Sequence, residues 1–326
     1  MSESVTEHDV DQHTDIRDFE PPSLRHIIGH RHVVETLSVA VDAAFQDAKR
    51  LENCLLCGPP GLGKTTFASV LARELCVPFT EVLAQSITNL AELNALVLSA
   101  PEKSILFIDE IHLLDKMAQH SLLYVIDKRQ LFVSGSRSVQ SITVADFSIV
   151  GATTDPHGLI GPLYQRFKVI ANLTYLSVDE LAEVVRQRCL ALKWKIDEQI
   201  IPLIAQRGQG TPRIALKLLE STRRCCRAVG SSALTMAHFL RACELEQVDA
   251  IGLDAVQQHY LRLLADGPCR LNVLATHLGL PTRTISVVVE PILLRAGLVG
   301  KDGNSGKRLL TKKGHEHLSQ SNEDQR

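Results

Sequence analysis

Short apolar runs and stretches of helical periodicity take turns through the first half of the chain. Asn53–Cys57, Phe79–Leu83, Ser104–Ile108, Phe147–Ala152 and Val169–Leu173 are each five or six residues long and largely apolar. That is the length and character of strands buried on both faces. Between them, Ile27–Lys49 and Thr66–Leu75 repeat apolar residues at helical spacing. Strands alternating with helices predict an α/β fold built on a parallel sheet with crossovers. After Leu176 the pattern changes. Ser177-Val178-Asp179-Glu180 reads as a capping box, and Leu181, Val184, Val185, Arg188 and Leu192 follow at helical spacing. Helices are predicted over Gln199–Gln206 and, headed by Thr211-Pro212, over Arg213–Val229, making this block all helix to about Val248. The tail predicts helices at Asp254–Leu264, Leu271–Leu278 and Thr282–Ala296, then a hairpin across Gly297–Lys301 and Lys307–Thr311. Three helices followed by a hairpin form a winged-helix pattern. The expected organisation is an acidic leader at 1–18, a large domain at 19–176, a small helical domain at 177–250 and a winged helix at 251–326.

Composition narrows this without redirecting it. With 45% hydrophobic and 22% charged residues, the chain is neither fibrous nor broadly disordered. The first 20 residues hold seven acids and one Arg with no apolar segment, so they are not expected to act as a targeting peptide, and residues 1–18 are not expected to fold. No run reaches the length of a membrane span. Eight scattered Cys suit reduced thiols and a cytoplasmic setting. Cys54 and Cys57 lie i, i+3 on a strand and point to opposite faces, which argues against half a metal site. A net charge of −2 means that any nucleic-acid contact must come from a local patch.

The chemistry begins at Gly58-Pro59-Pro60-Gly61-Leu62-Gly63-Lys64-Thr65-Thr66, between a predicted strand and a predicted helix. This is a P-loop. Its glycines let backbone amides converge on phosphate oxygens at a helix N-terminus, Lys64 supplies a charge to the β/γ-phosphates, and Thr65 offers a hydroxyl to Mg²⁺. Some forty residues on, the strand Ser104–Ile108 ends in Asp109-Glu110. At the C-terminal edge of a parallel sheet, Asp109 suits Mg²⁺ and Glu110 suits activation of the attacking water. ATP hydrolysis therefore ranks above ATP binding alone. His112 reads as packed near this site.

Leu106-Phe107-Ile108-Asp109-Glu110-Ile111-His112, Gly151-Ala152-Thr153-Thr154, Pro162-Leu163-x-x-Arg166-Phe167 and Gly210-Thr211-Pro212-Arg213-Ile214-Ala215 resemble, together with the P-loop, the RuvB family of AAA+ ATPases. The resemblance runs from about Pro21 to Leu318. It implies a hexameric ring driving Holliday-junction branch migration in recombination and repair, with a lid domain between ATPase domain and winged helix. It also implies roles: Thr154 as the sensor-1 side chain, Arg166 as a finger in a neighbouring subunit's site, and Arg213 as sensor 2. Ile28 and Gly29 fall where the family holds the base. The span Gln130–Val144 reads as a hairpin turning at Ser134-Gly135-Ser136. In the family this hairpin docks RuvA, at positions matching Ile142 and Val144, although Gln130–Val144 also reads as an inward-facing strand pair of the core. Several positions depart from the family: Asp155 and Leu113 stand in place of arginines, Phe19-Glu20-Pro21 and Ile27-Ile28-Gly29-His30 replace its usual leading motifs, and the hairpin is shorter. This makes the chain a divergent member or a paralogue.

Lys301, Lys307, Arg308, Lys312 and Lys313 cluster around the wing, suiting phosphate contacts on double-stranded or branched DNA. Helix Thr282–Ala296 offers Arg283 and few other groups for base readout. Two further readings follow from the residues alone. One is a nucleotide-gated DNA-binding or regulatory module with little ATPase. The other is a transcription factor using the winged helix.

Overall fold

The computed structural model describes residues 20–134 and 139–323. These form two compact units, one reaching to Leu192 with Thr211–Arg213, the other comprising Lys193–Gly210 and the chain from Ile214. Helix Val178–Ala191, predicted to open the lid, clusters with the first unit.

The first unit is built on five parallel strands: β1 (Cys54–Cys57), β2 (Phe79–Leu83), β3 (Ile105–Asp109), and, beyond the hairpin β4 (Gln130–Ser134) and β5 (Val139–Thr143), β6 (Ser148–Thr153) and β7 (Val169–Asn172). Their order is β2-β3-β6-β1-β7. Helices α1 (Arg31–Gln46), α2 (Lys64–Leu75), α3 (Leu90–Ser99), α4 (Lys116–Lys128), the single turn α5 (Gly161–Tyr164) and α6 (Val178–Ala191) complete the unit. The unbroken apolar strands have a simple cause. Cys54, Leu56, Ile105 and Phe107 join a core with Leu37, Val41, Phe67 and Leu71 of α1 and α2. Leu55, Leu106, Ile108 and Ile149 join the opposite core with Leu93, Val97, Leu122 and Val125 of α3 and α4. Each strand thus feeds both faces, and the period-2 alternation of side chains is apolar on either side. Because β1, β3 and β6 are parallel neighbours in the sheet, their C-terminal ends share one edge.

Caps mark the helix starts. Asn89 accepts from the Glu92 amide, Asp115 from that of Ala118 at 2.6 Å, and Ser177 with Glu180 forms the predicted capping box. The predicted helix Ile27–Lys49 is shorter than expected. A one-turn 3-10 helix at Leu24–His26 and positive φ at Gly29 and His30 delay α1 until Arg31, and Ala48 (φ 53°) ends it. The hairpin is antiparallel, pairing Leu131 with Ile142 and Phe132 with Ser141. Gly135 and Ser136 of its predicted turn lie outside the described residues.

The second unit begins with α7 (Ile200–Arg207), most of α8 (Pro212–Ala228) and α9 (Met236–Glu246). These helices are joined by a two-residue parallel pair, β8 (Lys195–Ile196) with β9 (Ala233–Leu234), that helical periodicity gives no hint of. Then come α10 (Ala255–Ala265), α11 (Leu271–Leu278), α12 (Thr282–Thr284) and α13 (Glu290–Arg295), the wing β10 (Val299–Lys301) with β11 (Arg308–Leu310), and a further helix α14 (Lys312–Glu323). The predicted helix Thr282–Ala296 contains a π turn at Ile285–Val289. Pro291 explains it: proline donates no amide and its ring crowds the carbonyl four residues back, so the turn widens. Tyr260, Leu274, Ile285, Leu293, Leu298 and Leu310 form the core here.

Candidate functional site

The P-loop closes a tight path between β1 and α2. Gly58, Gly61 and Gly63 have φ of 149°, 81° and 91°, a region that L side chains rarely occupy. Space forbids a side chain as well. A Cβ on Gly58 would lie 2.5 Å from the Leu173 carbonyl oxygen, and one on Gly61 2.8 Å from Thr211 Cγ2. Leu62 is buried in the α1/α2 core and fixes the loop from beneath, while Thr65 and Thr66 stand in the first turn of α2. Lys64 is buried, and its Nζ donates to the carbonyls of Gly58 (2.8 Å) and Pro59 (3.1 Å). Burial lowers its pKa, while Glu110 and Asp109 act in the opposite direction, so both acids lie within electrostatic reach of the lysine. Arg213 adds to the lowering, and its amide donates to the Gly61 carbonyl at 3.3 Å.

At the end of β3, Asp109 Oδ1 accepts the Glu110 amide at 3.0 Å. Glu110 itself is left-handed (φ 49°), a strained backbone for a residue with a long side chain. That turn directs its carboxylate across to β6. Oε2 accepts from the Thr154 amide (3.1 Å) and hydroxyl (2.9 Å), and His112 Nδ1 lies 3.3 Å away. His112 Nδ1 is also 3.0 Å from Thr153 Oγ1, which in turn accepts the Asp155 amide. Sequence reasoning placed His112 nearby but missed this bridge between Glu110 and the neighbouring strand. Asp155, one of the departures from the family pattern, caps the short helix Pro156–Gly158 by accepting from the His157 amide.

Lys64, Asp109, Glu110, Thr154 and Arg213 therefore gather at one corner of the sheet. Arg166 does not join them. It follows α5, half-buried, with Nε bonded to Asp127 Oδ1 of α4 at 2.6 Å. Ile28 and Gly29 lie in the segment before α1, and a Cβ on Gly29 would clash with Leu176 (2.4 Å) and approach Glu180. Beside them the His30 ring meets Phe67 edge-on at 5.9 Å, and burial lowers its pKa against the pull of Glu180. Thr65 and Asp109 offer hydroxyl and carboxylate oxygen, the hard donors that suit Mg²⁺.

Two expectations need correction. Val144 is only 6% exposed and belongs to the core beneath α4, so it cannot dock a partner, whereas Ile142 is 37% exposed. Phe132, edge-on to Tyr124 at 5.4 Å, is more exposed than Ile142. Arg308 is likewise not a free DNA contact. Its guanidinium donates to both oxygens of Glu290 (2.7 and 3.2 Å), a carboxylate with 1% exposure. Tyr260 donates to the same group at 2.8 Å. Burial pushes the Glu290 pKa up, but the bonds from Arg308 and Tyr260 outweigh it and hold the carboxyl below its ordinary range. Lys301 sits 3.5 Å from Glu290 and remains half exposed, Lys307 is partly exposed, Lys312 is open to solvent, and exposed Lys313 donates to the Ala296 carbonyl. Cys54 and Cys57 are buried free thiols, and no cluster of three or more His, Cys, Asp or Glu among the described residues suits a metal. Nor is any described helix long and apolar enough to cross a membrane.

Comparison with known proteins agrees along nearly the whole chain, from residue 19 to 319. Residues 19–173 match the Holliday junction DNA helicase RuvB P-loop domain, 176–249 the RuvB AAA lid domain and 250–319 the RuvB C-terminal winged helix domain. The Holliday junction branch migration complex subunit RuvB of Kosmotoga olearia is 35% identical over 323 residues, covering 96% of this chain and 94% of that protein. That of Prochlorococcus marinus strain MIT 9303 is 36% identical over 307 residues, covering 91% and 87%. The solved Thermotoga maritima RuvB Holliday junction branch migration motor superposes with a TM-score of 0.81 at 33% identity, over 92% of this chain and 98% of that one. With a nucleotide-binding P-loop, a lid and a winged helix in that order, the chain belongs to the RuvB family.

Proposed function

We propose that this chain is an ATP-driven motor that moves Holliday junctions by branch migration, working in the cytoplasm as a homo-hexameric ring on double-stranded and branched DNA. The observation that carries the reading is the placement of Lys64, Asp109, Glu110 and Thr154 at one sheet edge, with Glu110 held by Thr154. The β- and γ-phosphates would rest against the amides of residues 58–65, with Lys64 turning from its own loop carbonyls to the phosphate oxygens. Thr65 and Asp109 would hold Mg²⁺, which neutralises charge on the phosphates. Glu110 orients the attacking water and accepts its proton, and Thr154 fixes both the carboxylate and the water. Arg166 reaches a neighbouring subunit's γ-phosphate, and Arg213 answers the phosphate charge from its own chain. Lys301, Lys307, Lys312 and Lys313 track the duplex backbone without reading sequence. A RuvA-like junction-binding partner docks on the hairpin through Ile142.

The test is strand movement on a labelled synthetic four-way junction, with and without RuvA. The chain should resolve the junction into duplex products only with ATP, and Lys64→Ala should abolish this. Migration that persists in Lys64→Ala, or its absence in the unaltered chain with and without RuvA, refutes the reading.

A further inference from the structure

We infer that Asp127 is a positioning residue for Arg166, aiming the arginine at the neighbouring subunit's ATP. The inference rests on the reading of Arg166 as acting in trans. The backbone on either side of Arg166 is anchored by Leu163 and Phe167, both buried in the core under α4. The same segment is tied to α4 at its start, where buried Gln119 accepts the Ile160 amide at 2.8 Å and donates to the Leu114 carbonyl at 2.9 Å. Backbone position is thereby settled, but the side chain of Arg166 is still 40% exposed, and a further constraint is needed to hold it in one orientation. Asp127, two turns along α4 from Gln119, supplies the constraint through its 2.6 Å bond to Nε.

The choice of nitrogen matters. Engaging Nε leaves both terminal nitrogens of the guanidinium, the fork that grips phosphate, without a protein partner among the described residues. An acid bonded to the terminal pair would have blocked the fork. One bonded to Nε orients it. An ion pair between side chains this open to solvent (40% and 31% exposed) adds little to stability, so its effect falls on the orientation it gives the guanidinium.

The test uses the full-length protein and its DNA-stimulated ATPase. Asp127→Ala should lower kcat by about tenfold with KM for ATP unchanged, because its own P-loop is intact and only the orientation of the finger is lost. Asp127→Asn, which keeps an oxygen to accept from Nε, should recover most of the rate. Mixing separates trans positioning from a structural fault. Lys64→Ala subunits cannot use ATP but carry a sound finger, so adding them should raise turnover per Asp127→Ala subunit. If mixing only dilutes activity, or if Asp127→Ala turns over normally while Arg166→Ala is inactive, Asp127 does not position the finger. Normal turnover by Arg166→Ala would instead overturn the underlying trans reading, and the inference with it.

Discussion

Replacing Arg308 with Ala should damage the fold of the winged helix before it affects DNA binding. Glu290 lies in α13 with 1% of its side chain exposed, and Arg308 fills both of its oxygens. Without the guanidinium, one oxygen keeps the Tyr260 hydroxyl and the other has only Lys301 at 3.5 Å. Removing one partner from a buried ion pair costs about 3–5 kcal/mol, mostly the penalty of a stranded charge. Hydrogen exchange at the amides of Leu293 and Leu310, which belong to the core around this pair, should then quicken by about a hundredfold or more. The pH dependence should change sign. In the unaltered chain Glu290 is held below its unfolded pKa, so its contribution is complete above roughly pH 4.3 and is lost as pH falls through the folded value. In Arg308→Ala burial acts with far less opposition, the folded pKa rises above the unfolded one, and acid narrows the gap to the unaltered chain. Glu290→Gln in the same background should restore much of the protection by removing the stranded charge. Exchange in Arg308→Ala like that of the unaltered chain, with DNA affinity lost as in Lys307→Ala, would refute a structural role for the guanidinium.

Other substitutions probe the remaining assignments. Val144→Ala should cost about 1–2 kcal/mol in chemical denaturation, and Ile142→Ala less than ~0.5, since only the first is in the core. Gly61→Ala should weaken ATP binding by about tenfold or more in a direct titration, because its Cβ would strike Thr211 and its φ of 81° disfavours any side chain. In thiol labelling of the native protein at mildly alkaline pH, exposed Cys76 should react. Cys54 should not, because burial pushes its pKa up to about 12 and shields it.

The sequence was most informative where function depends on local spacing. Gly58 to Thr65 and the acids after β3 are contiguous patterns, and the parallel sheet brings them together without further information. Partnerships across long separations were illegible. The cluster Lys307-Arg308 looks uniformly basic, and only the fold reveals that Glu290, 18 residues earlier, consumes one of its charges. Val144 misled for a different reason. It shares the parity of Ile142, but β5 ends at Thr143, so the strand's alternation no longer applies and the chain turns inward. The bridge of His112 to Glu110 and Thr153, like that of Asp127 to Arg166, joins residues whose proximity is set by the left-handed turn at Glu110 and by the packing of α4. No periodic pattern encodes either. Helix α14 escaped notice because Lys312–Glu323 is almost wholly polar and holds a glycine, so it carries no clear apolar stripe.

The central claim is that Glu110 activates water at a P-loop site that binds ATP independently of it. Glu110→Gln keeps the shape and can still meet Thr154, but cannot take a proton. ATP affinity and single-turnover hydrolysis measured on the same preparation should give binding within a few fold of the unaltered chain and hydrolysis slowed by about 10²–10⁴-fold. Hydrolysis at the unaltered rate, with binding intact, would contradict the account.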